Sequence, residues 1–414
     1  MRRIIASLDI GSNSIKLVVG EIVKNRLNIL AALDTPSRGI KKGFIVNSES
    51  AIEALSEIFN KAEDMLGIKI RKVIATVPSN LAECFLSEGS STVTNENKVV
   101  GPSDIVRAMQ ASVYNKITDN MELVTIIPTA FKINDMDVVK NPKNMIADKL
   151  SVKSVIVSVP KKNVVPLVKC LERIGVEVVD IALTSLGDYY NFKTKETQKS
   201  VGAVINVGDS TITVSIFNRG VLTNTEVIDL GGQNIDNDIA FVYKLPRTEA
   251  RYLKENLSLA HKRLAVPNES VIVTDKNGDN IKINQYEISE VVMSRLEEML
   301  NLAKKQINLL TKKEISYIIF TGGVTESVDF NLLLEEIFGD NIILGHVDEL
   351  GARDNKFSSS VGLIKYYNSR LKLRNKEFSI FSIEEQEELS GLTKKVNISE
   401  NSILGKLFGY FFDN

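Results

Sequence analysis

The same twelve-residue pattern occurs twice in this chain. Residues 8–19 read LDIGSNSIKLVV, and residues 205–216 read INVGDSTITVSI. Each copy predicts an apolar strand, a tight turn of glycine and small polar residues, and a second strand. The backbone N–H groups and hydroxyls of such a turn can point at one oxyanion. Because one copy lies in each half of the chain, the pattern predicts two facing hairpins that hold a polyphosphate between two lobes.

The two turns supply most of the candidate binding residues. A single glycine turn would more often only close a hairpin, whereas a repeated one favours phosphate binding. The candidates are Gly11, Ser12, Asn13 and Ser14 in the first turn, and Gly208, Asp209, Ser210 and Thr211 in the second. Asp9 is the candidate to hold Mg²⁺ through water, although it could instead cap the turn. The catalytic residue is not identified, and Asn206 and Asp209 are its candidates.

Composition excludes several classes of function. A length of 414 residues predicts two or more domains with an ample core. The net charge of −1 argues against nucleic acid as a partner, because there is no basic excess to neutralise phosphates. Cys84 and Cys170 are the only cysteines and no signal peptide is evident, so we expect a reducing cytoplasm. His261 and His346 stand alone, which makes a zinc site improbable, and no apolar run of ~18 residues predicts a membrane span.

Strand and helix signals alternate along both halves, which predicts an α/β fold. The first half is expected to contain strands over 3–34, a helix at about 48–66, a strand at 71–78, a helix at about 161–174, a strand at 176–183 and a helix from Ser185. Residues 81–160 interrupt this order and read as a small α+β insertion. The second half is expected to contain strands over 201–230, helices at 233–244, 247–258 and about 285–311, and a strand at 316–320.

Two further glycine turns extend the candidate site. DLGG at 229–232 precedes a predicted helix, and TGG at 321–323 follows an apolar strand, with a helix expected to begin near Ser327. Glycine lets the backbone approach a flat ligand, and a helix N-terminus favours negative charge. Either turn alone could be an ordinary strand-to-helix connection. Together with the hairpins they predict a nucleotide site that includes Gly231, Gly232, Gly322, Gly323 and Val324.

The last thirteen residues carry a second signal. At about 100° per residue, one half of the helical wheel of SILGKLFGYFFDN collects its large apolar side chains, Ile403, Leu404, Leu407, Phe408, Phe411 and Phe412. A polar stretch from Asn375 precedes it and reads as a flexible linker. This predicts an interfacial membrane helix, or alternatively a terminal helix docked on the protein's own core. One such helix is a marginal anchor, so firm attachment would need the avidity of a polymer.

At this point the chain resembles a known family. Paired phosphate hairpins in a duplicated α/β fold resemble the actin, sugar-kinase and DnaK-type ATPase superfamily. Within it, SRGIKKGFIVN at 37–47, VIATVPSN at 73–80, VIDLGGQNIDNDIA at 227–240 and the amphipathic C-terminus are similar to the FtsA family of bacterial cell-division proteins. The resemblance implies an actin-like fold of two lobes with an insertion called 1C in the first lobe. It also implies ATP and Mg²⁺ as cofactors.

The resemblance also implies a division into subdomains. The expected boundaries are 1–80 and 161–197 for subdomain 1A, 81–160 for 1C, 198–232 and 297–370 for 2A, 233–296 for 2B, 371–401 for a flexible linker, and 402–414 for an amphipathic membrane-targeting helix.

Two positions depart from the family pattern. The second hairpin usually begins with aspartate, and this chain has Asn206, which contributes no charge. The glutamate that contacts ribose in the family falls on Arg251, while the neighbouring lysine is kept as Lys254. We therefore expect ATP binding with slow hydrolysis at most.

By resemblance, the function is that of an actin-like, ATP-binding adaptor. It would polymerise through its 1C and 2B faces on inner-membrane lipids, at the cytoplasmic side of the division septum, as a peripheral protein. It would bind the C-terminal peptide of the tubulin-like protein FtsZ on subdomain 2B, tether FtsZ filaments and recruit later division proteins. The alternatives are a sugar kinase or polyphosphate phosphatase of the same superfamily, and an actin-like adaptor for pilus or secretion assembly.

Overall fold

The computed structural model describes residues 3–373 and 379–380. The strands are β1 Arg3–Ile10, β2 Ser14–Val23, β3 Arg26–Pro36, β4 Ile40–Lys41, β5 Phe44–Ile45, β6 Lys72–Val77, β7 Glu83–Thr92, β8 Met121–Ile133, β9 Asp137–Val139, β10 Lys149–Pro160, β11 Glu177–Leu183, β12 Val201–Val207, β13 Ile212–Asn218, β14 Val221–Ile228, β15 Ser270–Thr274, β16 Asn280–Asn284, β17 Tyr317–Thr321 and β18 Ile342–Leu344. The helices are α1 Ser48–Leu66, α2 Pro102–Val113, α3 Val165–Arg173, α4 Thr184–Phe192, α5 Gly232–Val242, α6 Arg247–Asn256, α7 Gln285–Leu310, α8 Phe330–Phe338 and α9 Ser358–Leu373.

Two five-stranded sheets share one topology. Their strand orders are β11-β6-β1-β2-β3 and β18-β17-β12-β13-β14. In each sheet an antiparallel meander of three strands is extended by two parallel strands. The first two strands of each meander pair in the same way, with Ile10 opposite Ile15 in one lobe and Val207 opposite Ile212 in the other. The predicted duplicated, actin-like α/β fold is therefore confirmed.

The insertion in the first lobe has a sheet and a core of its own. Its strand order is β7-β10-β8-β9, and α2 packs on this sheet. Val100, Ile105, Ala108 and Leu150 are among the buried side chains of a cluster separate from those of the lobes. At Gly89 an added Cβ would lie 2.2 Å from the backbone nitrogen of Ser112, so glycine permits the close approach of α2. The predicted α+β insertion is confirmed.

Local sequence explains where α1 begins and ends. The side chain of Asn47 accepts a hydrogen bond from the Ser50 amide, and Gly67 adopts a left-handed conformation with φ 71° after the last turn. Of the face predicted from periodicity, Leu55, Ile58, Phe59, Ala62 and Leu66 are buried and Ile52 is partly buried.

The helix α9 comes from the second half of the chain but packs on the first lobe. It contacts α4 closely, and a Cβ at Gly362 would lie only 1.8 Å from the carbonyl oxygen of Gly187. The Ser7 hydroxyl, in β1, donates to the Ser360 carbonyl oxygen at 2.8 Å. The first lobe is thus completed by residues from the end of the described chain.

Two details differ from the sequence expectation. The helix expected near Ser327 is a 3₁₀ turn, Gly323–Glu326, followed by α8, because Asp329 adopts a left-handed conformation with φ 63° between them. Within the stretch expected to be a linker, α9 continues to Leu373, and buried Ile380 donates its amide to the Ile4 carbonyl. The other residues of that stretch and the predicted C-terminal helix lie outside the described residues. Among those described, no helix is both long and apolar enough to cross a bilayer.

Candidate functional site

A cleft of about 440 Å³ separates the two lobes, and the repeated hairpin turns face it from both sides. The cleft is lined by most of the residues predicted for the site, namely Asp9, Gly11, Ser12, Asn13, Ser14, Asn206, Gly208, Asp209, Ser210, Thr211, Gly232, Lys254, Gly322, Gly323 and Val324. The structure does not bring Gly231 and Arg251 into this lining and places them beside it. The sequence repeat and the two glycine turns therefore converge on one place.

Each hairpin turn leaves backbone donors unused. The Gly11 amide donates to the Ser14 carbonyl at 3.2 Å, and the Gly208 amide donates to the Thr211 carbonyl at 2.9 Å. Within the described part of the chain, the amides of residues 12, 13, 209 and 210 donate to no backbone carbonyl. Unpaired amides beside an open cleft are suited to bind an oxyanion. The two turns thus form a pair of opposed anion cradles.

Asp9 lies almost buried at the base of the first turn. One carboxylate oxygen accepts a hydrogen bond from the Thr76 hydroxyl at 2.7 Å, and the other lies 3.3 Å from the Lys16 ammonium. Among the described residues, no group of three histidine, cysteine, aspartate or glutamate side chains could ligate a metal. A magnesium ion here would therefore take most of its ligands from phosphate oxygens and water, with Asp9 reached through water.

Asn206, at the end of β12, hydrogen-bonds to a buried acid. Its side-chain amide donates to Asp188 at 2.7 Å, and the hydroxyls of Ser358 and Ser359 each donate to the other carboxylate oxygen at 2.8 Å. Burial raises the pKa of Asp188 to about 6; these three hydrogen bonds oppose the rise, and the charge of Asp9 adds to it. The hydrogen bond to Asp188 occupies the amide of Asn206, so Asn206 is held in place behind the second turn.

Arg251 connects the two hairpin turns across the cleft. Its guanidinium donates to Asn13 of the first turn at 2.6 Å and to Asp209 of the second turn at 2.6 Å. Its third contact is the fully buried carboxylate of Asp236 at 3.0 Å. The side chain of Gln233 also donates to Asp209, at 2.9 Å. Asp209 is therefore engaged on both oxygens, and the arginine closes one side of the cleft.

The remaining wall suits a nucleoside. Gly322 has φ 100°, and a Cβ there would lie 2.5 Å from the Val207 carbonyl, so only glycine fits this turn. A Cβ at Gly323 would meet nothing within 4 Å, because this residue faces the open cleft. Lys254 lies 2.5 Å from Asp236, and the exposed Glu255 next to it also lines the cleft. Glu255 supplies a carboxylate close to where the family pattern led us to expect one at position 251.

Sequence reasoning missed several residues of this site, among them Lys16, Asp188 and Glu255. Lys16 could have been found from hairpin register, since it lies directly opposite Asp9 on the paired strand. Glu255 is adjacent to a residue that the family pattern identifies. Asp188 had no local signal, because α9 and β12, which come later in the chain, pack on α4 around it.

Comparison with known proteins agrees with this architecture. Residues 203–362 match the family model for cell division protein FtsA, and residues 81–158 match the model for the SHS2 domain inserted in FtsA. Cell division protein FtsA of Bacillus subtilis is 30% identical over 379 residues, which cover 90% of this chain and 86% of that protein. The FtsA of Borreliella burgdorferi is 26% identical over 420 residues, covering 99% and 98%.

Solved structures share the fold at low identity. MreB5 of Spiroplasma citri bound to ADP superposes with a TM-score of 0.56 at 14% identity, covering 89% of this chain and 98% of that one. A PilM–PilN type IV pilus biogenesis complex gives a TM-score of 0.58 at 15% identity, covering 87% and 98%. These likenesses concern the fold alone, whereas the sequence matches identify the relatives. The chain belongs to the FtsA family of bacterial cell division proteins.

Proposed function

We propose that the cleft binds ATP with Mg²⁺, and that the bound form works as a polymerising adaptor in cell division. The main support for nucleotide binding is the pair of opposed turns, whose amides at residues 12, 13, 209 and 210 donate to no backbone carbonyl. The solved MreB5 structures bound to ADP and to AMPPNP support it, because they share this fold. Lys16 and Asp9 would face the phosphates, and the metal would neutralise phosphate charge.

The nucleoside would lie on the opposite wall of the cleft. Gly322 and Gly323 leave room for a flat base, and Val324 offers an apolar contact. Glu255 would accept hydrogen bonds from the ribose hydroxyls. Arg251 cannot do so, because the arginine side chain has no hydrogen-bond acceptor.

Hydrolysis would be slow. A general base must reach the attacking water with an available acceptor. Asn206 carries no charge and donates to Asp188, while Asp209 is held by Arg251 and Gln233. Neither candidate is thus placed as a strong base, and nucleotide binding rather than turnover would set the state of the protein.

Substitutions at Gly323 test the nucleotide site. A Cβ at this position has open space around it, so Gly323→Ala should keep both the fold and ATP affinity. Gly323→Phe would fill the cleft and should abolish binding of labelled ATP in equilibrium dialysis. The alanine variant is the matched control for backbone effects. ATP binding that survives the phenylalanine substitution unchanged would refute the site.

The adaptor role rests on family membership and on exposed apolar side chains. Phe241 at the end of α5 is 86% exposed and lies beside a groove shared with α7, lined also by Val242, Val291 and Arg295. This groove falls in the stretch expected to be subdomain 2B, and we infer that it receives the FtsZ C-terminal peptide. Phe241→Glu should weaken binding of an FtsZ peptide in fluorescence anisotropy, and the exposed Tyr252→Glu on α6 is the control.

Polymerisation and membrane attachment complete the proposal. In the insertion, Met136 is 78% exposed and Ile146 is 73% exposed, which is suitable for contact with a second copy. The amphipathic segment 402–414 would attach the polymer to inner-membrane lipids, at the division septum, and later division proteins would be recruited there. Co-sedimentation with vesicles and FtsZ, with and without ATP, tests these steps together. Binding that does not depend on protein concentration would contradict attachment through polymer avidity.

A further inference from the structure

A second cavity, of about 550 Å³, lies where the insertion meets both lobes. Its walls come from β8 of the insertion, from α4 and α9 of the first lobe, and from the turn between β13 and β14 of the second lobe. No residue that lines the cleft between the hairpins also lines this cavity. It is therefore a separate site, and none of its lining residues is used in the proposed ATP site.

The charged lining of this cavity is entirely basic. It consists of Lys140, Lys193, Lys195, Lys199, Arg219 and Arg370. The whole chain has 51 basic and 52 acidic residues, so an average patch would contain both signs in similar numbers. We call this set the basic cavity. Like charges gathered in a concave surface repel one another and concentrate a positive potential there.

Most of these cations have no carboxylate partner. Arg370 is the exception, since it lies 3.0 Å from Asp180. The other five form no ion pair within the described part of the chain. Lys199 also affects Glu196, but the pKa of that carboxyl is lowered mainly by its hydrogen bond with Thr194, and the charge of Lys199 contributes least. The cavity thus holds a surplus of positive charge that the protein itself does not neutralise.

Of the five cations without a carboxylate partner, Lys193 is partly buried and the other four are exposed. The Lys193 ammonium stands 3.4 Å from the centre of the Tyr190 ring, and Tyr190 packs edge-on against Tyr366 with ring centres 5.0 Å apart. Burial, with a smaller contribution from Lys365, lowers the pKa of Lys193 to about 8. A half-buried ammonium with an aromatic neighbour and no anion is costly unless a ligand supplies the missing charge.

We propose that the basic cavity is a second anion site, which takes a phosphate-bearing ligand with two or more negative charges. The volume is within the range of small-molecule sites, about 300–1,000 Å³. Several unpaired lysines and one arginine suit phosphate oxygens, because ammonium and guanidinium groups form charge-assisted hydrogen bonds with them. The ligand would contact Lys140 on the insertion, Lys193 after α4 and Arg219 on the second lobe, and would join these three parts.

The test compares two double variants of the full chain. In the first, Lys193→Gln and Arg219→Gln remove two cations from the cavity. In the second, Lys69→Gln and Lys305→Gln remove two exposed cations elsewhere and cause the same change in net charge. Calorimetric titration with inorganic pyrophosphate should show at least about tenfold weaker binding in the cavity variant only, which corresponds to the loss of one charge-assisted hydrogen bond. Binding of pyrophosphate in the cleft is common to both variants and cancels.

A second arm separates a soluble ligand from a lipid headgroup. Vesicles of phosphatidylcholine containing about a third phosphatidylglycerol replace pyrophosphate, and flotation is compared for the same two variants. If the cavity variant binds pyrophosphate more weakly than the control variant, the ligand is a soluble anion. If the cavity variant is weaker only in vesicle binding, the ligand is a lipid phosphate. As a direct measurement, pyrophosphate or vesicles should protect Lys193 from an amine-reactive reagent at pH 8. If both variants behave alike in both arms, the second anion site does not exist.

Discussion

The buried acid Asp188 makes a prediction that can be worked out quantitatively. It lies fully buried behind Asn206, and its pKa is raised from an ordinary 3.8 to about 6. Replacing it by asparagine removes the titration while keeping the size of the side chain. The new amide oxygen can accept from Ser358 and Ser359 as the carboxylate oxygen does now. Asn206 would turn its own amide to present an oxygen, at a cost that does not depend on pH.

The direction in which stability changes with pH follows from the difference between the folded and unfolded pKa values of Asp188. The folded pKa of Asp188 is above the unfolded value, so its contribution to stability is fully present below about pH 3.8 and is lost as the pH rises through about 6. A shift of two units corresponds to about 3 kcal/mol in total. Between pH 5 and pH 8 the parent should lose roughly 1 to 2 kcal/mol of unfolding free energy from this residue, and the Asp188→Asn variant should not.

Urea unfolding of the parent and the variant at pH 5 and pH 8 provides the measurement. Titration of all other groups occurs in both proteins, so the difference between the two unfolding free energies isolates Asp188. We expect the unfolding free energy of the variant to increase relative to that of the parent as the pH rises. A difference that stays constant between these pH values would refute the raised pKa, and one that moves in the opposite sense would mean that hydrogen bonds outweigh burial.

Three further predictions concern the cleft and the tail. Asn206→Asp alone would place a second carboxylate against Asp188 and should destabilise the protein at pH 8. The double variant, Asn206→Asp with Asp188→Asn, should restore stability and raise the rate of phosphate release. A rate of phosphate release that rises in the single variant would contradict this. Arg251→Ala should speed association of a fluorescent ATP analogue roughly three- to tenfold in stopped flow, since one partly exposed charge-assisted bridge across the cleft is lost; an unchanged rate would show that the bridge does not limit entry. Phe408→Glu with Phe412→Glu should leave the chain unbound in vesicle flotation while ATP binding persists, because two charges enter the apolar half of the predicted helix; a variant that floats as the parent does would mean that the tail docks on the protein.

The parts of the fold that could be predicted depend on neighbouring residues. The hairpin turns at 11–14 and 208–211 combine glycine with small polar residues between apolar strands. Each of these patterns lies within about twelve consecutive residues and can be recognised from sequence. The helix α1 is equally local, since its apolar spacing, its Asn47 cap and its terminal Gly67 are all contiguous. The residues that specify such elements therefore lie within the elements themselves or next to them in the chain.

What the sequence could not predict depends on residues far apart in the chain. The contact between Arg251 and Asn13 joins positions 238 residues apart, and the one between Ser358 and Asp188 joins positions 170 apart. In the basic cavity, Lys193, Lys195 and Lys199 come from one short stretch of the chain, but Lys140, Arg219 and Arg370 are distant from it in sequence. Charge, burial and pKa at these places arise only when separate elements pack together.

The return of α9 to the first lobe also has a consequence for synthesis on the ribosome. Residues 3–10 form the central strand of the first sheet, but the helix that covers α4 and contacts that strand is not translated until residues 358–373. While the second lobe is being made, the first lobe would expose apolar surface that α9 later buries. The second lobe has its own sheet and cluster and can form while this happens. The half translated first would then finish folding last, and truncated nascent chains that end before Ser358 should engage chaperones through their N-terminal half.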